Sequence, residues 1–261
     1  MDLSQVIVRV PMVACLIAAL IVSLTAIPAF ADGHEAEASH TVLITGANRG
    51  LGLEFARQYE AAGWTVIGTA RSPDRADELR ALGVEVIQLD VVDRGSIATL
   101  AATLEGRGID MLINNAGIFP RVSEIDSVDP DDYAQTLLVN TLGPVLVTRA
   151  LMPNLRQGEL KRIVNITSQL GSIENNSGGY YGYRESKAAL NMFTRSLALE
   201  LGPEGFICLA IHPGWVRTDM GGPQANLSVE ESITAMRKTI DDMTADDNGV
   251  YRSYSGELVA W

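Results

Sequence analysis

Short apolar runs rich in β-branched residues alternate along this chain with longer segments whose apolar residues recur every three or four positions. The short runs suit buried strands, and the wider spacing suits the buried stripe of a helix. The pattern predicts strands over Thr41–Thr45, Trp64–Ala70, Val84–Leu89, Met111–Ile113, Arg162–Thr167 and Ile207–Ile211. Helices are predicted through Phe55, Ala56, Tyr59 and Ala62, over Asp77–Leu82, over Ser96–Leu104, over a long stretch from Asp132 to Leu155, and from Tyr183 through Leu190, Phe193, Leu197 and Leu201. Strands joined by helices of crossover length form a parallel sheet covered on both faces. In such a sheet ligands sit beyond the carboxyl ends of the strands. Polar clusters fall at those ends: Gly46–Gly52, Arg71, Asp90, Asn114–Gly117, Ser168 and His212–Gly214.

Residues 1–40 stand outside this alternation. Arg9 and the amino terminus precede an uncharged apolar run, Val10 to Ile27, and Ala29-Phe30-Ala31 follows as a small-x-small site. That order predicts a secretory signal peptide over residues 1–31; the length of the run leaves an uncleaved membrane anchor as the rival. Residues 32–40 read as an acidic linker, and residues 41–261 as one domain. No Lys or Arg follows the run until Arg49, while Asp32, Glu35 and Glu37 lie just after it. The positive-inside rule therefore sends the domain across the membrane. The expectation is an exported domain, periplasmic or membrane-tethered; an over-extended gene start would leave it cytoplasmic.

Composition narrows the function classes. The 261 residues are 47% apolar, enough for a full core, and carry a formal net charge of -12. That balance argues against a nucleic-acid partner, whose binders carry basic patches. The two cysteines, Cys15 and Cys208, allow no disulfide framework outside the leader, and His34, His40 and His212 are scattered, so no metal site is expected.

Two stretches carry candidate chemistry. Gly46-Ala47-Asn48-Arg49-Gly50-Leu51-Gly52 lies between a predicted strand and a predicted helix. Glycines there let the backbone approach a pyrophosphate, and the helix start offers free N–H groups. The spacing is Gly-x-x-x-Gly-x-Gly, and a plain tight turn is the alternative. At the end of the next strand, where an acid would accept the ribose 2′-hydroxyl of NAD, stands Arg71, which suits a 2′-phosphate; Arg49 could add a second cation. Tyr183 and Lys187 are four apart, hence stacked on one helix face. An ammonium beside a phenol favours the phenolate and is expected to lower its pKa toward the working range.

Taken together, Thr45-Gly46-x-x-x-Gly50-x-Gly52, Asn114-Asn115-Ala116-Gly117, Asn140, Ser168, Tyr183-x-x-x-Lys187 and Pro213-Gly214 resemble the short-chain dehydrogenase/reductase family, over roughly residues 41–220. The wording around Tyr180–Lys187 and the terminal Gly256-Glu257-Leu258-x-x-Trp261 are similar to the carbonyl-reductase-like subgroup that includes the C-factor signalling proteins. The Ser168–Tyr183 interval is slightly longer than the family's common one, and the stretch between Met220 and Met243 is short. The resemblance implies a single-domain Rossmann fold, a doubly wound parallel sheet with helices on both faces. It implies Tyr183 as general acid or base, Lys187 as its partner and a ligand of the nicotinamide ribose, Ser168 holding the substrate oxygen, and Asn140 positioning a water. It also implies a cofactor cleft formed by Gly46, Asn48, Arg49, Gly50, Leu51, Gly52, Arg71, Asp90, Val91, Asn114, Ala116, Gly117, Tyr183, Lys187, Pro213, Gly214, Val216 and Thr218. The expected activity is oxidation and reduction of a small-molecule alcohol or carbonyl with NADP(H), NAD(H) being possible, and a homodimer is possible. The other function class is a non-catalytic nucleotide-binding signalling protein of C-factor type. His212 reads as packed structure rather than a catalyst.

Overall fold

The computed structural model describes residues 39–261. The predicted leader and most of the acidic linker lie outside the described residues. Seven parallel strands form one sheet in the order β3-β2-β1-β4-β5-β6-β7: β1 (Thr41–Ile44), β2 (Thr65–Ala70), β3 (Glu85–Gln88), β4 (Met111–Asn114), β5 (Arg162–Ile166), β6 (Ile207–His212) and β7 (Val250–Ser253). The order reverses between β1 and β4. There the crossovers leave in opposite directions and open a crevice at the carboxyl edge.

The side-chain period of two explains the two cores. Val42 and Ile44 of β1, Met111 and Ile113 of β4, and Val164 and Ile166 of β5 face one layer, with Phe55, Ala56 and Tyr59 of α1 (Gly50–Ala61), Leu79 of α2 (Asp77–Ala81) and Ile233, Met236 and Ile240 of α7 (Val229–Asp241). Leu43, Leu112, Ile163 and Cys208 face the other, with Ile97 and Leu100 of α3 (Arg94–Thr103), Val147, Leu151 and Leu155 of α5 (Gly143–Gln157) and Ala198 and Leu201 of α6 (Tyr183–Leu201). Each Val, Leu, Ile, Phe or Met among them, fully buried, stabilises by roughly 1.5–3 kcal/mol.

The fold departs from the sequence pattern in two places. The long helix expected over Asp132–Leu155 starts earlier, at Pro130, where Asp129 caps it by accepting from the Asp131 and Asp132 N–H groups at 2.8 and 3.2 Å. It is also not uniformly α-helical. Between α4 (Pro130–Leu137) and α5 it widens into a π turn, Leu138–Leu142, a local distortion frequent at functional sites. The other departure follows Pro213, where α7 and β7 form although the pattern above predicts neither. Their signals are present: Ser228 and Glu231 make a reciprocal capping box, and Ile233, Met236 and Ile240 recur at helical spacing. β7 has only four residues, too few for period two to stand out.

A buried polar chain crosses the sheet beneath the crevice. Asn114 Nδ2 donates to Asn165 Oδ1 (2.8 Å) and Thr148 Oγ1 (3.2 Å), and Asn165 Nδ2 donates to Thr194 Oγ1 (2.8 Å). Asn114 was expected in the cofactor cleft; its side chain instead ties β4 to β5 and α5 from inside the sheet. Asn165→Ala would remove one buried hydrogen bond from each of Asn114 and Thr194, which keep those to Thr148 and the Leu190 carbonyl. Its unfolding free energy in urea should fall by about 2–4 kcal/mol.

Candidate active site

The glycine loop is stitched to the end of β4. The fully buried Thr45 accepts on Oγ1 from the Asn115 N–H (2.9 Å) and the Ala116 N–H (3.0 Å). Asn115 returns the contact, its Nδ2 donating to the carbonyls of Thr45 (2.9 Å) and Gly46 (3.1 Å). Gly46 and Gly50 hold φ +64° and +53°, the left-handed region that favours glycine. A Cβ at Gly52 would collide with the Gly46 carbonyl oxygen and the Asn115 amide. The N-cap of α1 is Arg49, which supplies no side-chain cap. The helix start is therefore left to an outside acceptor and its dipole favours an anion. Arg49 and Arg71 are both exposed, and Arg49 pairs with Asp219 at 3.0 Å.

The other expected residues fall round the same edge. Val91 is buried, and a Cβ on Gly143 would lie 2.9 Å from its Cγ2, so Gly143 sets how closely the π turn's helix approaches. Asp90, half-buried, accepts on Oδ1 from the Val92 N–H (3.1 Å). Asn48 and Leu51 are half-buried in the loop and the first turn of α1. Pro213 and Gly214 end β6, the Pro213 carbonyl accepting from Ser232 Oγ (2.7 Å). Val216 is buried, and Thr218 Oγ1 accepts from the Gly221 N–H (3.0 Å). A Cβ at Gly50 would meet Thr218 at 3.7 Å, so the loop after β6 lies over the glycine loop.

Ser168 stands just past β5, Tyr183 opens α6 and Lys187 follows one turn later. Lys187 Nζ lies 5.8 Å from the centre of the Tyr183 ring and donates to the Ile166 carbonyl at 2.8 Å. Asn140 sits in the π turn, fully buried. Its Oδ1 accepts from the Ile118 N–H (2.8 Å), and its Nδ2 donates to the Ile118 carbonyl (2.9 Å) and to Ser186 Oγ (3.0 Å). A Cβ at Gly117 would lie 3.2 Å from Asn140 Oδ1 and 3.8 Å from Lys187 Nζ. Gly117, Asn140 and Lys187 thus converge on one small volume beside the glycine loop. Among the described residues, no group of three or more His, Cys, Asp or Glu is placed to hold a metal ion.

The model of the family described as short chain dehydrogenase matches residues 40–227. The chain belongs to the short chain dehydrogenase family. It is 34% identical over 229 residues to 1-hydroxy-2-glutathionyl-2-methyl-3-butene dehydrogenase of Rhodococcus sp. (strain AD45), covering 85% of this chain and 99% of that one. It is 47% identical over 154 residues to C-signal of Myxococcus xanthus, covering 59% of this chain and 93% of that one. Among solved structures it resembles carbonyl reductase Sniffer of D. melanogaster (34% identity, TM-score 0.81, 85% and 100% covered) and the NADPH-bound carbonyl reductase from chicken fatty liver (36% identity, TM-score 0.80, 85% and 99% covered).

Within this dehydrogenase-family site, one expectation is corrected by the physics of burial. The lysine was expected to lower the phenol's pKa. Instead burial pushes the Tyr183 phenol up to about 12, with a hydrogen bond from Ser168 pulling the other way. Burial also pushes the Lys187 ammonium down to about 8. Both groups have left water, so each is driven toward its neutral form. Asn140 is fixed by its side chain, whose amide hydrogens and oxygen bond Ile118 and Ser186. Its side chain fixes the Ile118 backbone next to the Asn115–Gly117 turn.

Five further residues shape the site in ways the sequence motifs do not show. Thr45 and Asn115 make the stitch described above, and the doubled asparagine was the visible signal. The Phe119 ring packs 4.4 Å from that of Tyr183. Arg184, buried at the start of α6, donates to the carbonyls of Gly178 (3.1 Å), Gly179 (3.0 Å) and Leu170 (3.3 Å) and to Ser177 Oγ (3.0 Å). It therefore organises the long Ser168–Tyr183 interval. Tyr251 donates to the Ser168 carbonyl at 2.6 Å; no local pattern links two residues so far apart in sequence.

His212 is buried, its Nδ1 accepts from the Gly214 N–H (3.1 Å), and the rings of Tyr251 and Tyr254 flank it edge-on. Burial pushes its pKa down to about 4. The unfolded chain binds this proton near pH 6.5 and the folded chain only near 4, so the unfolded state holds more protons between these values. The stability that neutral His212 contributes is full above pH 6.5 and is lost as the pH falls toward 4. His212→Gln, which keeps an acceptor but cannot protonate, should flatten the decline of the urea midpoint between pH 6.5 and 4.

Proposed function

We propose that this chain is an oxidoreductase that interconverts a small-molecule carbonyl and an alcohol with NADP(H), using Tyr183 as its proton donor and acceptor. The observation that carries this reading is the buried Tyr183 phenol, with Lys187 beside it and the glycine loop at the same edge of the sheet. A non-catalytic nucleotide binder has no use for a buried phenol so placed.

The residues present fit a dinucleotide phosphate. Left-handed Gly46 and Gly50 and the uncapped start of α1 suit the pyrophosphate. Exposed Arg71 and Arg49 suit a 2′-phosphate, and the NADPH-bound relative supports that preference over NAD(H). Asp90 and Val91 would meet the adenine, and Ala116, Gly117, Pro213, Gly214, Val216 and Thr218 the nicotinamide half. When bound, the cofactor supplies or accepts the hydride. Ser168 then holds the substrate oxygen, and Tyr183 delivers a proton to it in reduction. With its pKa near 12 the phenol carries that proton throughout the neutral range, which favours the donor role. Oxidation requires the phenolate, so its rate should rise with pH.

Tyr183→Phe removes the donor and little packing. Turnover on a panel of carbonyl substrates should fall about a thousandfold, while NADPH binding by fluorescence and the melting temperature stay near wild type. Retained turnover would overturn the mechanism; a wild type that binds NADPH but turns over none of the panel would favour the C-signal-like reading, toward which the 47% identity points.

Arg71→Asp should reduce the preference for NADP(H) over NAD(H), read as the ratio of dissociation constants, by about ten- to a hundredfold, the worth of a lost charge-assisted contact of ~1–3 kcal/mol. An unchanged ratio would remove Arg71 from the cofactor site.

A further inference from the structure

Ser168 is held by its backbone as much as by its side chain. Its carbonyl oxygen accepts two donors, the Gly171 N–H at 2.8 Å and the Tyr251 hydroxyl at 2.6 Å. Its Oγ accepts from the Leu170 N–H at 3.2 Å, which fixes the position of the oxygen. The far end of the turn is fixed as well, because Asn191 Nδ2 donates to the Gly171 carbonyl at 3.2 Å. Gly171 presses on α6 so closely that a Cβ there would lie 2.8 Å from Lys187 Cβ. Tyr251 itself has no freedom. It is 1% exposed, its ring centre lies 5.5 Å from that of Trp261 and 6.1 Å from that of His212, and Trp261 is anchored by the Glu174 N–H donating to its carbonyl at 2.9 Å.

We infer that Tyr251 is a positioning residue for the reaction: its hydroxyl fixes the Ser168 carbonyl and so aims Ser168 Oγ at the Tyr183 phenol and the substrate oxygen. Tyr251 touches neither substrate nor cofactor, and this role rests on the oxidoreductase reading above. It gives β7 a part in the active site. Without the Tyr251 hydroxyl, the Ser168 carbonyl keeps only the local Gly171 bond, and the turn over Lys187 can rock. Because the hydrogen bond from Ser168 lowers the pKa of Tyr183, misaiming Ser168 must raise it.

Tyr251→Phe keeps the ring and deletes the hydroxyl. In hydrogen exchange on the protein alone, the Leu170 and Gly171 amides should exchange at least about fivefold faster than in wild type, with the β1 and β6 amides unchanged as a control for global stability. In steady-state kinetics kcat should fall about tenfold with KM changed less than about twofold, the pattern of an interaction that matters in the transition state. The alkaline rise of the oxidation rate should move to higher pH, which a merely loosened fold would not produce. Unchanged exchange at Leu170 and Gly171 would overturn the inference, as would faster exchange with kcat and the pH profile unaltered. A wild type without any turnover would sink the oxidoreductase reading separately; the exchange result would still decide whether Tyr251 fixes Ser168.

Discussion

A lysine buried beside a phenol is the constraint on which the site depends. Lys187 is 5% exposed and its ammonium donates to a single carbonyl, that of Ile166. Moving a cation out of water with one partner costs several kcal/mol, so its surroundings must be over-determined to hold it. They are. The turn after Ser168 packs on it through Gly171, the Asn115–Gly117 turn approaches from the sheet, and the π turn brings Asn140 alongside. Remove the need to bury Lys187 and most of this close packing at the carboxyl edge loses its reason.

The same logic explains why the asparagine amide nitrogens there are paired. Asn140 spends its amide on Ile118 and Ser186, Asn114 on Asn165 and Thr148, and Asn115 on Thr45 and Gly46. Buried donors left over would each cost on the order of 1–3 kcal/mol. Asparagine serves because its two amide hydrogens can bridge two strands or a strand and a turn. The edge of the sheet is thus rigid before any ligand arrives, which is what a hydride-transfer geometry requires.

How much of this was legible in the chain follows from range. The six strands of the βα alternation could be read because each is a local run with helical spacing on either side. Gly46–Gly52 and Tyr183-x-x-x-Lys187 could be read because their chemistry is local too. Asn114 was assigned to the cleft because it sits at a strand end, but whether a strand-end side chain faces the cleft or the sheet interior is set by register with β5, which no single segment shows. Tyr251 lies 83 residues from the carbonyl it holds, and that contact exists only because β7 pairs with β6 in parallel. α7 stands apart, since its capping box and its apolar spacing were both present in the sequence.

The Tyr183–Lys187 pair shows why spacing alone misjudges electrostatics. Spacing put an ammonium over a phenol, and Coulomb attraction alone would lower the phenol's pKa. Burial decides otherwise, because the attraction favours only the state in which both groups are charged, while desolvation penalises each charge separately. The phenol therefore rests as a protonated acid, and the lysine is held at the edge of neutrality near pH 8. In the proposed mechanism such a site gives a proton more readily than it takes one. The Ser168 hydrogen bond is the one contribution from the protein itself that pulls toward the phenolate. In the mechanism proposed above, the turn held between Tyr251 and Asn191 aims that hydroxyl and so bears on the oxidative direction.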